Sequence, residues 1–390
     1  MIPSGPVFQN GLKAVQSLRA ELAPGKERVC VYGDGVEALA LASLLRSSCI
    51  GVLGSVSNLP ENVAEFEIRD RGASVCADRG AIPAGRADDA LSQAETISRA
   101  DGIFICADST RYGEIAHSLS AHLRDGQTVC LVNAPLGAAL QFRHELSAGD
   151  CDKQISVLEL GRLYDYLAVE SGVLLISGLR KRIAFASVER NEMRRGMSVA
   201  RSLKRDIVPS SNVIERGLSD VERLIRPVIL LSALLGSHGD SLEIGFGSRA
   251  LAGLLRSIEK EVQAIARSFG CAAPGFLEAL CEIALRGDSS DEIAVLSVSG
   301  LLERFGVGIM NLDNLDQDAS VEVLRADVEE VFCILSDLGS RSRSPVGTIN
   351  SVIDLASAVA GCDLRSQGRN LDSLGLVGFD IREIIDLVNC

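Results

Sequence analysis

The sequence predicts an α/β domain built on a parallel, doubly wound sheet over residues 1–195, followed by an all-α domain over 196–390. Three observations predict it. Short apolar runs alternate with helix-period segments through the first half of the chain. A glycine turn, Gly33-Asp34-Gly35-Val36-Glu37-Ala38, joins the first such run to the first helix. From about Glu189 onward, apolar residues recur at three- and four-residue spacing instead.

Val29 to Tyr32 is apolar and β-branched, as a buried parallel strand requires, and Leu39 to Leu45 continues as an apolar helix. The turn between them has the pattern G-x-G-x-x-A of dinucleotide-binding folds. One glycine permits the tight turn, the second lets a pyrophosphate approach the backbone, and a small third residue packs helix on strand. The helix N-terminus adds N–H donors and a partial positive charge. The first domain therefore reads as Rossmann-type, with Gly33, Asp34, Gly35, Val36 and Glu37 as cofactor-binding candidates.

Further strands are expected at Ile50–Leu53, Ala73–Ala77, Gly102–Cys106 and Thr128–Val132, with helices at Leu91–Arg99 and Thr110–Leu123. Ligands of such sheets bind outside the carboxyl ends of the strands, which adds Ala107, Asp108, Asn133 and Pro135 to the candidate rim. No acidic residue stands at the tip of the second strand, and no Arg that would receive a 2′-phosphate. Ser55 stands there and suits a ribose hydroxyl or a 2′-phosphate equally, so NAD and NADP both remain open. The runs ISVLEL, YLAVES, GVLLIS and RIAFAS, between residues 155 and 187, are read as strands extending the same sheet. Helices follow at Val221–Leu235, Ser248–Phe269, Phe276–Leu285, Val321–Leu338 and Thr348–Ala360, and this half could present a homodimer surface.

Composition narrows the partners. With 39 Lys and Arg against 52 Asp and Glu, a net charge of −13 leaves no basic stripe for nucleic acid. The longest apolar stretch, Pro227 to Leu235, is far short of a membrane span. The 11 cysteines lie largely in apolar runs and form no C-x-x-C pair, which fits small buried hydrophobes in a reducing cytoplasm. The N-terminal MIPSGPVFQNGLKAVQ lacks the form of a signal peptide.

Several segments in order carry a family resemblance. Tyr112-Gly113-Glu114 through Thr128-Val129, Asn133-Ala134-Pro135-Leu136-Gly137-Ala138 and Leu158-Glu159-Leu160 lie in the first half. Asn212-Val213-Ile214, Leu218-Ser219-Asp220-Val221, Ile225-Arg226-Pro227 and Ile258-Glu259-Lys260-Glu261 follow, then Gly368-Arg369-Asn370-Leu371 and Leu374-Gly375-Leu376. In this order and spacing the chain resembles the octopine/nopaline (opine) dehydrogenase family over nearly its full length. That resemblance implies an NAD(P)-dependent oxidoreductase of specialised metabolism. Such enzymes reduce the imine formed from an amino acid and a 2-oxo acid, so a small carboxylate-bearing substrate is expected in an inter-domain cleft. It also implies a histidine before a proline, paired with an aspartate, to move the proton, and a substrate-side glutamate at Glu159.

The chain departs from this pattern where the chemistry is concentrated. Arg226 precedes Pro227 in place of the histidine, while Asp327 occupies the place of the aspartate. A guanidinium cannot serve as a general base, but it can hold a carboxylate or an oxyanion by paired hydrogen bonds. Arg226 and Asp327 are thus the catalytic candidates, with Arg226 also binding substrate. Pairing of Arg226 with Asp220 or Glu222 is the competing, structural reading. Of the four histidines, His117, His122 and His144 read as surface or packing residues, and His238 is the substrate-binding candidate of the helical half. Tyr164 and Asp165 read equally as cleft or rim residues. Metal-ligand spacing is absent from the sequence. Two alternatives stay open: a reductoisomerase resembling the ketol-acid enzymes, which would need Mg²⁺ on helical carboxylates, and a cofactor-binding protein without catalysis.

Overall fold

The computed structural model describes residues 27–53, 63, 65–69, 76–81, 90–236, 249–285 and 316–389. The chain forms two compact units. One runs to Ala134, resumes from Ala138 to Val213 and takes in Leu387–Cys390; the other comprises Pro135–Gly137 and Ile214–Asp386.

The first unit contains a seven-stranded sheet in the order β11-β10-β7-β6-β5-β1-β2. Its strands are β1 (Val29–Gly33), β2 (Cys49–Leu53), β5 (Gly102–Cys106), β6 (Thr128–Leu131), β7 (Ser156–Leu160), β10 (Arg182–Ser187) and β11 (Asp206–Pro209). Pairing is parallel from β2 through β7; β10 runs antiparallel to β7, and β11 is parallel to β10. The reversal of strand order at β1 and β5 marks the position where doubly wound sheets bind ligands, outside the carboxyl ends.

Four other strands depart from the sequence reading. β3 (Glu65–Arg69), β4 (Cys76–Ala81), β8 (Tyr166–Glu170) and β9 (Val173–Ser177) form a separate sheet in the order β4-β3-β9-β8. Of the strand expected at Ala73–Ala77 only Cys76 and Ala77 lie within the described residues; they open β4, which is antiparallel to β3 and outside the parallel sheet. YLAVES and GVLLIS likewise leave that sheet, because Ser171 (φ +49) and Gly172 (φ +80) close them into a two-residue hairpin. Both central residues of such a primed turn need positive φ, which glycine and small polar residues tolerate. β11 escapes the apolar pattern because it is short and ends on Pro209, which suits the edge of a sheet. The first unit therefore extends to Val213, beyond the boundary near residue 195 read from the sequence.

Helix α1 (Gly35–Leu44) explains why two sheets are needed. Its sequence GVEALALASL is apolar on nearly every face, and Ala38 to Ser43 are all buried. A helix without a polar side must be covered on more than one side. It packs on β1, β2 and β5 of one sheet and on β8 and β9 of the other. Helices α2 (Ala90–Arg99), α3 (Tyr112–Ser120), α4 (Ala138–Ala148) and α5 (Arg190–Ala200) complete this part of the chain.

The second unit is helical: α6 (Val213–Leu218, beginning on the last residue of the first unit), α7 (Val221–Gly236), α8 (Arg249–Ser268), α9 (Phe276–Leu285), α10 (Gln317–Asp327), α11 (Cys333–Ser342), α12 (Gly347–Ala360), α13 (Leu364–Gln367) and α14 (Ile381–Val388, whose last residues return to the first unit). The helix expected at Val321–Leu338 is observed, but a π segment, Val328–Phe332, joins α10 to α11. A 3.6-residue apolar period does not reveal one inserted residue. Among the described residues no helix is long and apolar enough to cross a membrane.

One buried carboxyl of the first unit gives a pH test. Glu192 on α5 accepts hydrogen bonds from the Ser187 hydroxyl at 2.8 Å and from Arg143 at 2.7 Å. Burial pushes its pKa above the ordinary glutamate value, outweighing the pull of Arg143 and Ser187. The folded state thus holds this proton more tightly than the unfolded chain. The contribution is fully present below the ordinary glutamate pKa and is lost as pH rises through the raised value. In urea unfolding, Glu192→Gln should therefore gain stability relative to wild type as pH rises above the ordinary glutamate pKa of about 4.3 and through the raised value. A pH-independent difference would show that the carboxyl titrates normally.

Candidate functional site

The glycine turn is built by a close approach of two strands. Gly33 pairs with Cys106 across β1 and β5. A Cβ at Gly33 would stand 2.4 Å from the Cys106 carbonyl oxygen, so no other residue fits without parting the strands. Gly35 then opens α1 at φ +64, a conformation that favours glycine. Asp34, at the cap position, is extended and makes no side-chain bond to the helix. Its carboxylate is instead ion-paired with Arg111 Nη1 at 2.5 Å. The first-turn N–H groups of α1 are therefore not capped by Asp34, and a glycine-lined cradle lies before them. Such a cradle fits the phosphates of a dinucleotide.

The other rim candidates gather beside this turn. Ala107 is half-buried and Asp108 exposed. The Asp108 carbonyl accepts the Arg111 N–H at 3.0 Å, closing the turn after β5. The Cys106 thiol donates to Glu37 Oε2 at 3.4 Å. Asn133 takes a left-handed conformation, φ +52, and its amide holds the segment after β7. Its Oδ1 accepts the Leu163 N–H at 3.0 Å and its Nδ2 donates to the Tyr164 hydroxyl at 3.3 Å. Burial, then the charge of Glu37, pushes the Cys106 thiol well above its usual pKa. The Tyr164 phenol is likewise raised well above its usual value, chiefly by burial. Both remain protonated donors at neutral pH. Val36 presents its side chain to the core, so it offers the site its backbone.

Two residues read as candidates have other surroundings. Glu159 has 0% exposure, and its Oε2 accepts the Ala139 N–H at 2.9 Å in the first turn of α4. A carboxylate at a helix N-terminus satisfies donors there and is favoured by the helix dipole. Where the resemblance implies a substrate-side glutamate, the structure places Glu159 without exposed surface against the first turn of α4. Pro135 belongs to the second unit, where its carbonyl accepts from Arg216 Nη2 at 2.8 Å, while Arg369 Nη1 donates to the Leu136 carbonyl at 2.8 Å. Ser55 and His238 lie outside the described residues.

In the second unit the two catalytic candidates meet, although 101 positions separate them. Arg226 Nε donates to Asp327 Oδ2 and its Nη2 to Oδ1, both at 2.6 Å. One helical turn away, Arg223 pairs with Glu330. The spacing of three residues on α7 thus faces the same spacing at the start of the π segment. Asp327 is 2% exposed and Arg226 15%. Burial works against the Arg226 charge, but the Asp327 carboxylate and its hydrogen bonds outweigh it and raise the pKa further. Asp327 thus pairs with Arg226 while Asp220 pairs with Arg216 at 2.8 Å, and the charge of Glu222 adds to the support of the Arg226 guanidinium. Glu222 is buried on the same helix.

Arg111 was not singled out by sequence, although two acids in a phosphate-binding turn call for a nearby cation. Among the described residues no group of three or more His, Cys, Asp or Glu side chains could hold a metal ion. Removing one partner of a buried pair strands the other. Asp327→Ala is expected to cost about 3–5 kcal/mol in urea unfolding. The double replacement Arg226→Met with Asp327→Leu should cost less than Asp327→Ala, because no charge is left unpaired. A smaller loss for Asp327→Ala than for the double variant would show that the pair is not effectively buried.

No protein-family model matches the chain. An opine dehydrogenase of Arthrobacter sp. (strain 1C) is 24% identical over 316 residues, which cover 80% of this chain and 86% of that protein. The solved structure of octopine dehydrogenase in complex with NADH and agmatine matches with a TM-score of 0.69 at 14% identity, covering 92% of this chain and 98% of that one. Yersinopine dehydrogenase with NADP+ bound matches with a TM-score of 0.60 at 13% identity, covering 93% and 98%. In sequence and fold the chain is opine-dehydrogenase-like.

Proposed function

We propose that this chain is an NAD(P)-dependent oxidoreductase of opine dehydrogenase type that acts on a small carboxylate-bearing substrate. The observation that carries the reading is the uncapped glycine turn Gly33–Gly35 at the strand-order reversal of the sheet. The related structures that match over most of the chain hold NADH or NADP+.

Gly33, Gly35 and the first-turn N–H groups of α1 would hold the cofactor's phosphates, and Asn133 would fix the rim beside them. When bound, the nicotinamide supplies or accepts the hydride. Arg226 keeps its charge throughout the working pH range, so it exchanges no proton with substrate. Its part is electrostatic: a guanidinium held in one plane by Asp327 can orient a substrate carboxylate or a developing oxyanion. This differs from the histidine that the family resemblance implies, which would take and return a proton. The substrate class that suits the exchange is an oxo, hydroxy or amino acid whose anionic group is steered by Arg226.

The reading is tested by titrating purified protein with NADH and NADPH, using nicotinamide fluorescence and calorimetry. Nicotinamide absorbance is then followed with paired amino and 2-oxo acids. Binding of at least one dinucleotide and turnover with a carboxylate substrate are expected. Arg226→Lys, which keeps the charge but loses the fork, should lower kcat/KM by roughly 10- to 100-fold with dinucleotide affinity unchanged. Absence of dinucleotide binding would overturn the reading. Tight binding without turnover on any acid would make the chain a cofactor-binding module, and a strict Mg²⁺ requirement would move it to the reductoisomerase class.

A further inference from the structure

The glycine turn contains a contradiction in charge. Asp34 and Glu37 both stand at the first turn of α1, where the two negative charges of a pyrophosphate would be received. Like charges within a few ångströms oppose binding unless a cation intervenes. Glu37 already accepts the Cys106 thiol. Asp34 is answered by Arg111, which reaches it from the turn after β5, 77 positions away.

Arg111 is held for this purpose by more than one contact. Its N–H closes the Ser109–Arg111 turn on the Asp108 carbonyl, and Gln141 Nε2 on α4 donates to the Ser109 carbonyl at 3.0 Å. Its side chain is 34% exposed, and Glu114 lies at 3.5 Å from Nε. A guanidinium carries five N–H donors in a planar fork; with Asp34 on Nη1 and Glu114 at the long edge of Nε, the Nη2 donors and the second Nη1 donor still have directions for a further anion.

We propose that Arg111 binds the phosphates of the dinucleotide at the Gly33–Gly35 turn, and that Asp34 parks it there and competes with the ligand for it. The inference rests on the dinucleotide reading of that turn. Arg111 supplies the positive charge that the acidic turn lacks. The Asp34 ion pair keeps the arginine in place without ligand, and its carboxylate must share the guanidinium when phosphates arrive. Dinucleotide affinity is therefore set by the balance of two side chains from the turns that follow two adjacent strands.

Calorimetry with ADP-ribose and with NADH tests it. Arg111→Gln should raise Kd for both by roughly 10- to 100-fold and flatten the dependence of affinity on salt. Asp34→Asn should lower Kd several-fold. In the Arg111→Gln background, Asp34→Asn should restore part of the lost affinity, because it removes an uncompensated repulsion. Thermal melting checks that each variant is folded, and the charge-balanced double variant keeps the test available if the single one unfolds. An Arg111→Gln affinity within about twofold of wild type, with NADH bound by both, overturns this inference and leaves the dinucleotide reading intact. So does a double variant that binds no better than Arg111→Gln. If wild type binds neither ligand, the dinucleotide reading itself falls.

Discussion

The close approach of β1 to β5 at Gly33 sets most of what surrounds the glycine turn. The absent side chain lets the Cys106 carbonyl stand where a Cβ would be, and β1 and β5 run in register from Val29 with Gly102 to that pair. Because β1 ends there, α1 must begin there, wedged between two sheets that cover its apolar faces. Cys106 then lies under Glu37, and the turn after β5 carries Arg111 to Asp34. Each contact on the rim is a consequence of where two strands are allowed to touch.

Much of this was legible in the sequence because it depends on local constraints. The glycine pattern, the strand runs at Val29, Gly102 and Thr128, and the long apolar periods of the second half each state their own structure. What was not legible depends on partners distant in sequence. β3 pairs with β9 of the hairpin about 100 residues later and carries β4 on its other edge, and nothing in their own pattern says which sheet receives them. Glu159 was read as a substrate-side residue through the family resemblance, and an acid in an apolar strand is rarely buried. Only the N-terminus of α4 above β7 explains how one can be. Arg226 and Asp327 were found by resemblance, and their bidentate contact could not be read from spacing.

The pairing of Arg226 with Asp327 sets a permanent charge before Pro227, where the family resemblance implies a titrating histidine. A histidine beside a buried carboxylate changes its charge near neutrality, whereas an arginine holds one electrostatic state over the whole range. The second pair, Arg223 with Glu330, makes this part of the helical unit a short ladder of matched charges. Matched charges in a half-buried setting are costly to separate and so hold side chains in one geometry. The ladder holds its four side chains in one geometry and one charge state.

The π segment between α10 and α11 gives that ladder its phase. Five residues, Val328–Phe332, close wider rings than an α-helix would, so the chain carries one residue more than a regular helix over the same length. Each helical residue turns the chain by about 100°. Deleting that extra residue would leave a smoother helix, but it would rotate α10 about its axis relative to α11 and carry Asp327 away from Arg226. The irregularity works as a clocking pin: it fixes the angle at which one half of a long helix presents its acid to the facing arginine.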